Sequence, residues 1–237
     1  MAADVRMFTV GPVQENAYIV RADSESTRAV MVDPGEESQR LLEAAEQLGA
    51  KIEAILITHC HFDHIGAVAP VAAATGAPVW CPEFERALLT DIMRWVPPGF
   101  GPFENYEPEH TVKGGERLDL AGMEFEVIFT PGHSPGHVTY ALANLGVQAD
   151  SGVGVQADSD AQAPLLLSGD VLFQGSVGRV DLPGGDWSTL ERSIAGLLER
   201  FPDETVVYPG HMGVTTLGRE RMSNPFLAEL RVPAGGS

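Results

Sequence analysis

Cysteine is scarce in this chain: two among 237 residues, Cys60 and Cys81, with no Cys-x-x-Cys pair. That excludes a disulfide-built scaffold and a thiolate zinc ribbon, and it suits a reducing compartment. No run of 18 apolar residues occurs, so no membrane span is expected. The first residues, MAADVRMFTVGPVQENAY, lack a basic stretch leading into an apolar one. No signal peptide is read there, and a cytoplasmic location is expected. Basic residues are also few, 15 against 33 acidic, for a net charge of −18. A surface of that sign repels phosphate backbones, and no local basic patch offsets it, so nucleic acid is not an expected partner. The remaining totals, 44% hydrophobic and 20% charged, are those of a soluble globular protein able to bury a sizeable core. Length alone allows one domain or two small ones.

Along the chain, β-type runs at Arg6–Val10, Ala17–Arg21 and Arg28–Val32 give way to alternating helix and strand. EESQRLLEAAEQLGA puts Leu41, Ala45 and Leu48 on one helical face, with Gly49 as a C-cap. Ile52–Ile57 reads as a buried strand, followed by a small-residue helix that stops near Gly76 and a short strand at Val79. A helix is expected over Glu83–Trp95, and Pro97–Pro108 is a long loop of the kind that is functional or mobile. Strands follow at Glu116–Leu120 and Glu124–Thr130, turning near Gly122. A third begins at His137. GVQADS then occurs twice, at 146–151 and 154–159, and reads as a disordered or hairpin-tip insertion spanning 146–161. PLLLSGD is an apolar strand ending at Asp170. DWSTLERSIAGLLERF carries an apolar helical face of Leu190, Ile194, Leu197, Leu198 and Phe201, and Ser188 with Glu191 has capping-box spacing. ETVVYPGH is a last strand, ending at His211, with a short tail behind it.

What is abundant is histidine in one place. THCHFDH puts His59, His61 and His64 within six residues, beside Asp63, directly after an apolar strand. Residues two apart on extended backbone share a face, so His59 and His61 can reach a common ion. Asp63 and His64, where the chain turns into a helix, can reach a second. Imidazole and carboxylate at this density suit zinc, iron or manganese. Cys60 should face away and pack. VIFTPGH at His133, LLLSGD at Asp170 and VVYPGH at His211 repeat one pattern, an apolar strand ending in a glycine-flanked ionisable residue. Glycine there allows a sharp turn, and ligands at several strand ends converge on one rim of a sheet. Five of seven histidines lie in these motifs, a sixth, His137, follows His133 by four residues, and only His110 is apart.

THCHFDH, PGHSPGH, SGDVLFQGSVGR and YPGH, in that order, resemble the metallo-β-lactamase-fold superfamily, and within it the compact, single-domain glyoxalase II-like hydrolases. The resemblance implies an α/β fold, a four-layer αβ/βα sandwich, formed as one domain over residues 1–237. It implies two divalent metal ions, zinc foremost with iron or manganese as alternatives. His59, His61 and His133 would hold one, Asp63, His64 and His211 the other, and Asp170 would bridge them. It further implies hydrolysis of a hydroxyacyl thioester such as S-lactoylglutathione by a metal-bound hydroxide, with Asp63 passing a proton. The partner is then a small molecule, a thiol conjugate. Asp33 would orient a ligand histidine or else cap a helix. His137 would stand behind the ligands or lean on the substrate. Arg179 would pair with a substrate carboxylate or with Asp181. The longer glyoxalase II enzymes carry a C-terminal helical domain that grips glutathione, and the 26 residues after His211 cannot form one. Two other readings stay open: a mononuclear-iron persulfide dioxygenase, and a non-catalytic metal-binding module.

Overall fold

The computed structural model describes residues 2–147 and 163–228. A first sheet lays β1 (Asp4–Val10), β2 (Glu15–Arg21), β3 (Arg28–Val32), β4 (Lys51–Leu56), β5 (Val79–Pro82) and β6 (His110–Val112) side by side in chain order. β1 to β3 form an antiparallel meander, and β3 to β6 run parallel. The second sheet begins with β7 (Arg117–Leu120), β8 (Met123–Phe129), β9 (Val138–Val147) and β10 (Ala163–Gly169). After a small hairpin of β11 (Leu172–Phe173) and β12 (Ser176–Val177), the chain adds β13 (Val206–Pro209) and β14 (Thr215–Thr216). The second sheet's spatial order is β14–β13–β10–β9–β8–β7, and only the β10–β13 pair is parallel.

Side chains alternate across a strand, so a sheet covered on both faces needs apolar residues at every position. β2 shows this at its centre: all seven residues are buried, and Ala17–Val20 are apolar, while Glu15, Asn16 and Arg21 stand at its ends. Ala17 and Ile19 point toward α1 (Ser38–Gln47) and α3 (Val68–Thr75), where they pack with Met31, Leu41, Ile55 and Val71. Tyr18 and Val20 point the other way, into a layer shared with Phe125, Tyr140 and Leu165 of the second sheet. On that sheet's far side, Leu166 and Val207 pack against Leu190, Ile194 and Leu197 of α5 (Trp187–Arg200). Each fully buried Leu, Ile or Phe is worth about 1.5–3 kcal/mol. The result is helix, sheet, sheet, helix, the four-layer αβ/βα sandwich expected.

Several local expectations need correction. The helix expected over Glu83–Trp95 is broken into a 3-10 turn at Glu83–Glu85, α4 (Arg86–Thr90) and a second 3-10 turn at Ile92–Arg94. Asp91 leaves helical geometry (φ −143°, ψ 55°), and the Ile92 N–H is taken by Asn105 Oδ1 at 3.0 Å. A tertiary partner there replaces the helical one. Ser188 caps nothing: α5 starts at Trp187, and the cap is Asp186, which accepts from Thr189 N at 2.8 Å. Gly146 and Val147 still belong to β9, and the rest of the expected 146–161 insertion lies outside the described residues. The tail forms α6 (Leu217–Ser223) and a 3-10 turn at Pro225–Leu227. Among the described residues, no helix is long and apolar enough to cross a membrane.

Candidate metal centre

Every singled-out donor sits beyond the carboxyl end of a strand. β4 leads to His59 and His61. A single helical turn, α2 (Phe62–Ile65), takes His61 as its N-cap and carries Asp63 and His64. β8 leads to His133, β10 to Asp170, β13 to His211 and β3 to Asp33. The first sheet's tip is tied to the second sheet by Tyr140 Oη, which donates to Ile57 O at 2.9 Å, and by Val138 N, which donates to Thr58 O at 2.9 Å. Glycine is required where these ends crowd together. Gly169 has φ +49°, and a Cβ on it would lie 2.4 Å from Thr58 Oγ1. A Cβ on Gly210 would lie 2.1 Å from Asp170 Oδ1.

The donors form two groups, each with its ligand atoms within 4.8 Å of one another: His59, His61 and His133, and Asp63, His64 and His211. In the first, His133 Nε2 is 2.8 Å from His61 Nδ1 and 3.2 Å from His59 Nε2. The opposite ring nitrogens show why these atoms face inward. Thr58 Oγ1 donates to Asp33 Oδ2 at 2.6 Å, so it accepts from His59 Nδ1 at 3.1 Å. His133 Nδ1 donates to Arg179 O at 2.7 Å, His64 Nδ1 to Asp33 Oδ2 at 3.0 Å, and His211 Nδ1 to Gln14 O at 3.1 Å. Four imidazoles thus turn Nδ1 to an outer acceptor and aim Nε2 at the centre, the orientation of metal-ligating histidine.

Asp170 lies between the groups. Its Oδ2 is 3.5 Å from His133 Nε2 and 3.6 Å from His211 Nε2, and its Oδ1 is 3.4 Å from His64 Nε2. His64 Nε2 and Asp170 Oδ1 are buried with no hydrogen-bond partner among the described residues. Orphaned buried polar atoms are costly, and a cation between them would satisfy both. The donor set therefore fits divalent metal.

The electrostatics of the side chains themselves differ between the two groups. Burial opposes protonation of His64 and His211, but Asp170 and the nearby carboxylates outweigh it at His64, and the Asp63 hydrogen bond with the Asp170 charge outweighs it at His211, so both stand above the usual imidazole pKa. Burial, reinforced by the neighbouring imidazoles, holds His59 well below its usual pKa. Burial and then His133 bring His61 down to about 4. Both are the neutral imidazoles that a metal needs. Burial works against ionisation of Asp170, but His64, His133 and His211 overcome it and hold the carboxyl below its ordinary range. Burial likewise opposes ionisation of Asp63, and the His211 hydrogen bond and the His64 charge outweigh it.

The residues around the ligands divide clearly. Asp33 is a helix cap for nothing, since α1 begins behind Glu37. Its carboxylate instead accepts from Thr58 N at 2.7 Å, from Thr58 Oγ1 and from His64 Nδ1. His137 is fully buried and does not face the substrate side. Its Nε2 accepts from Asp170 N at 3.0 Å, and its Nδ1 meets Thr130 Oγ1 at 3.0 Å. The Arg179 side chain is exposed and doubly bonded to Asp181, at 2.6 and 2.7 Å. What Arg179 brings to the site is its carbonyl. Cys60 faces away as expected, its Sγ 3.4 Å from that of buried Cys81. Phe62, between His61 and Asp63, packs against Phe100 and Phe103 of the long loop. Sequence reasoning missed two buried carboxylates. Glu15 lies 3.7 Å from His64 Nδ1, and burial pushes its pKa well up. Glu85 bonds to the backbone behind the first group. Neither stands in a metal-ligand spacing, so nothing in the pattern marks them.

A family model for the metallo-beta-lactamase superfamily matches residues 10–147. The hydroxyacylglutathione hydrolase GloC of Haemophilus influenzae is 31% identical over 227 residues, which are 94% of this chain and 98% of its own. The B3 metallo-beta-lactamase BLEG-1 superposes with a TM-score of 0.80 at 35% identity, covering 95% of this chain and 100% of that one. TTHA1623, solved in a di-iron-bound form, is 38% identical with a TM-score of 0.70, over 94% of this chain and 100% of its own. Together with the strand order and the convergent histidines, these matches place the chain in the metallo-beta-lactamase superfamily, to which it belongs.

Proposed function

We propose that this protein is a dinuclear metallohydrolase that cleaves a small hydroxyacyl thioester, of which S-lactoylglutathione is the test case. One observation carries the reading: two complete donor groups face each other with the Asp170 carboxylate between them. A divalent ion in each group would lower the pKa of a coordinated water from about 15.7 toward about 7, which makes hydroxide available at neutral pH. Zinc suits the donor set, and iron or manganese suits it too. A di-iron form of a similar structure and a hydroxyacylglutathione hydrolase among the relatives support the reading.

The chain's own residues then divide the work. His59, His61 and His133 would hold the first ion, and Asp63, His64 and His211 the second. Asp170, whose oxygens lie between the groups, would be shared by both. His137 grips the Asp170 backbone and Asp33 aims His64, so neither carboxylate nor ring can swing away. Asp63 and His211, like His61, are only partly buried, with side chains 14% and 21% exposed for the first two. Asp63 Oδ2, 3.3 Å from His211 Nε2, is placed to accept a proton as the tetrahedral adduct collapses. The thiolate leaves without further help, because a thiol is a comparatively strong acid. Two short helical pieces after His211 leave the thiol carrier to be found by assay.

Metal content by mass spectrometry, on the sample assayed with S-lactoylglutathione, tests this. About two ions per chain and metal-dependent release of thiol are expected. One iron per chain with oxygen uptake on glutathione persulfide would replace the proposal with the dioxygenase reading. Turnover surviving in a metal-free Asp170→Ala protein would refute the mechanism.

A further inference from the structure

Glu85 has no part in the chemistry above, yet it is 1% exposed and charged-type, which is costly unless every oxygen is bonded. Both are. Oε2 accepts from Cys60 N at 2.5 Å, and Oε1 accepts from Gly136 N at 2.9 Å and from the Ser134 hydroxyl. The donors come from two turns far apart in the chain. Cys60 lies between His59 and His61, and Ser134 directly follows His133. One carboxylate therefore clips together the two backbones that carry all three imidazoles of the first group, from behind. The approach is built in: a Cβ on Gly136 would lie 2.5 Å from Glu85 Cγ. The break of the expected Glu83–Trp95 helix at its first turn is what delivers Glu85 inward. The second group is tied by other residues: its imidazoles lean on Asp33 and on the Gln14 carbonyl, and Asn16 Nδ2 donates to Pro209 O and Met212 O on either side of His211.

We propose that Glu85 is a positioning residue for the first metal group, setting the spacing of His59, His61 and His133, and hence the affinity for an ion there, while leaving the second group unaffected. The inference rests on the metal-centre reading above. Its logic is that of outer partners generally: a ligand triad from two turns binds well only if the turns are held at one separation.

Glu85→Gln keeps the size of the side chain and presents an N–H₂ where a second acceptor is needed, so one of the two turns is released. Zinc affinities are measured by chelator competition for wild type and E85Q, with cobalt(II) absorption as a second readout and thermal unfolding of the metal-free proteins as the control. His211→Ala and His61→Ala proteins, each retaining one intact group, assign the affinities. The first-group affinity should fall about 10–100-fold, and the first-group cobalt bands should shift. The second-group affinity should stay within about threefold, far less than an outer partner's usual effect. Equal falls in both groups, or no fall in the first, overturn the proposal. Should E85Q fail to fold, Ser134→Ala is measured in the same way, and an unchanged first-group affinity there overturns it. A wild type that binds a single ion sinks the dinuclear reading but leaves the comparison at the first group intact.

Discussion

The two donor groups share a loop and have Asp170 between them, yet they are supported by different neighbours. His59, His61 and His133 are three imidazoles with no carboxylate of their own, held by a threonine hydroxyl, a backbone carbonyl and the Glu85 clip. Asp63, His64 and His211 include a carboxylate, with Asp33 bonded to His64 and Glu15 buried close behind. The first group's only carboxylate donor is the intervening Asp170, whereas the second also has Asp63. Each has a buried carboxylate behind it, Glu85 for the first and Asp33 for the second. The groups thus differ in the charge of their own donors more than in the charge of their surroundings.

Removing what they share should produce the largest effect. Asp170→Ala should deplete both groups and lower kcat about a thousandfold or more, read by metal content and thioester assay. Retention of one full ion would mean that one group stands alone. Asp33→Asn comes next. It should weaken the second group about 10–100-fold in a chelator competition. The first group should suffer less, since Asp33 reaches His59 only through Thr58, by its N–H and its hydroxyl. Asp170→Asn sharpens the contrast: with shape kept and charge removed, the first-group affinity should fall on the order of tenfold more than the second, which retains Asp63. Equal losses would show that charge does not distinguish the groups. The smallest effect is expected at Arg179→Ala. Its guanidinium is exposed and committed to Asp181, so KM for S-lactoylglutathione should change less than about threefold. A tenfold rise would show the guanidinium turning to the substrate.

The donors that the fold brings together were legible in the sequence because chemistry and backbone left the same mark: a donor next to glycine or helix start, just past an apolar run. The sandwich was legible less directly. β2 and β10 show up as apolar runs, but β6, β11, β12 and β14 are only two or three residues long and exist through pairing partners that no local pattern encodes. The Glu83–Trp95 segment misled for a related reason. Its apolar period is helical, but Glu85 and Asn105 find bonds elsewhere in the fold, and those bonds outweigh helical continuity. Glu15, Glu85 and Thr58 were missed because outer partners need only reach, not spacing.

One further consequence follows from where His211 sits. It joins a cluster whose other five donors from His59 to His133, and Asp170 after them, come earlier in the chain, and its neighbour Gly210 bonds both Asn16 and Gly169. During translation at ~5–20 residues per second, the 147 positions from His64 to His211 take roughly seven to thirty seconds to make. The cluster is therefore assembled late: its full set of donors exists only once the chain beyond β13 has been made and docked beside β10.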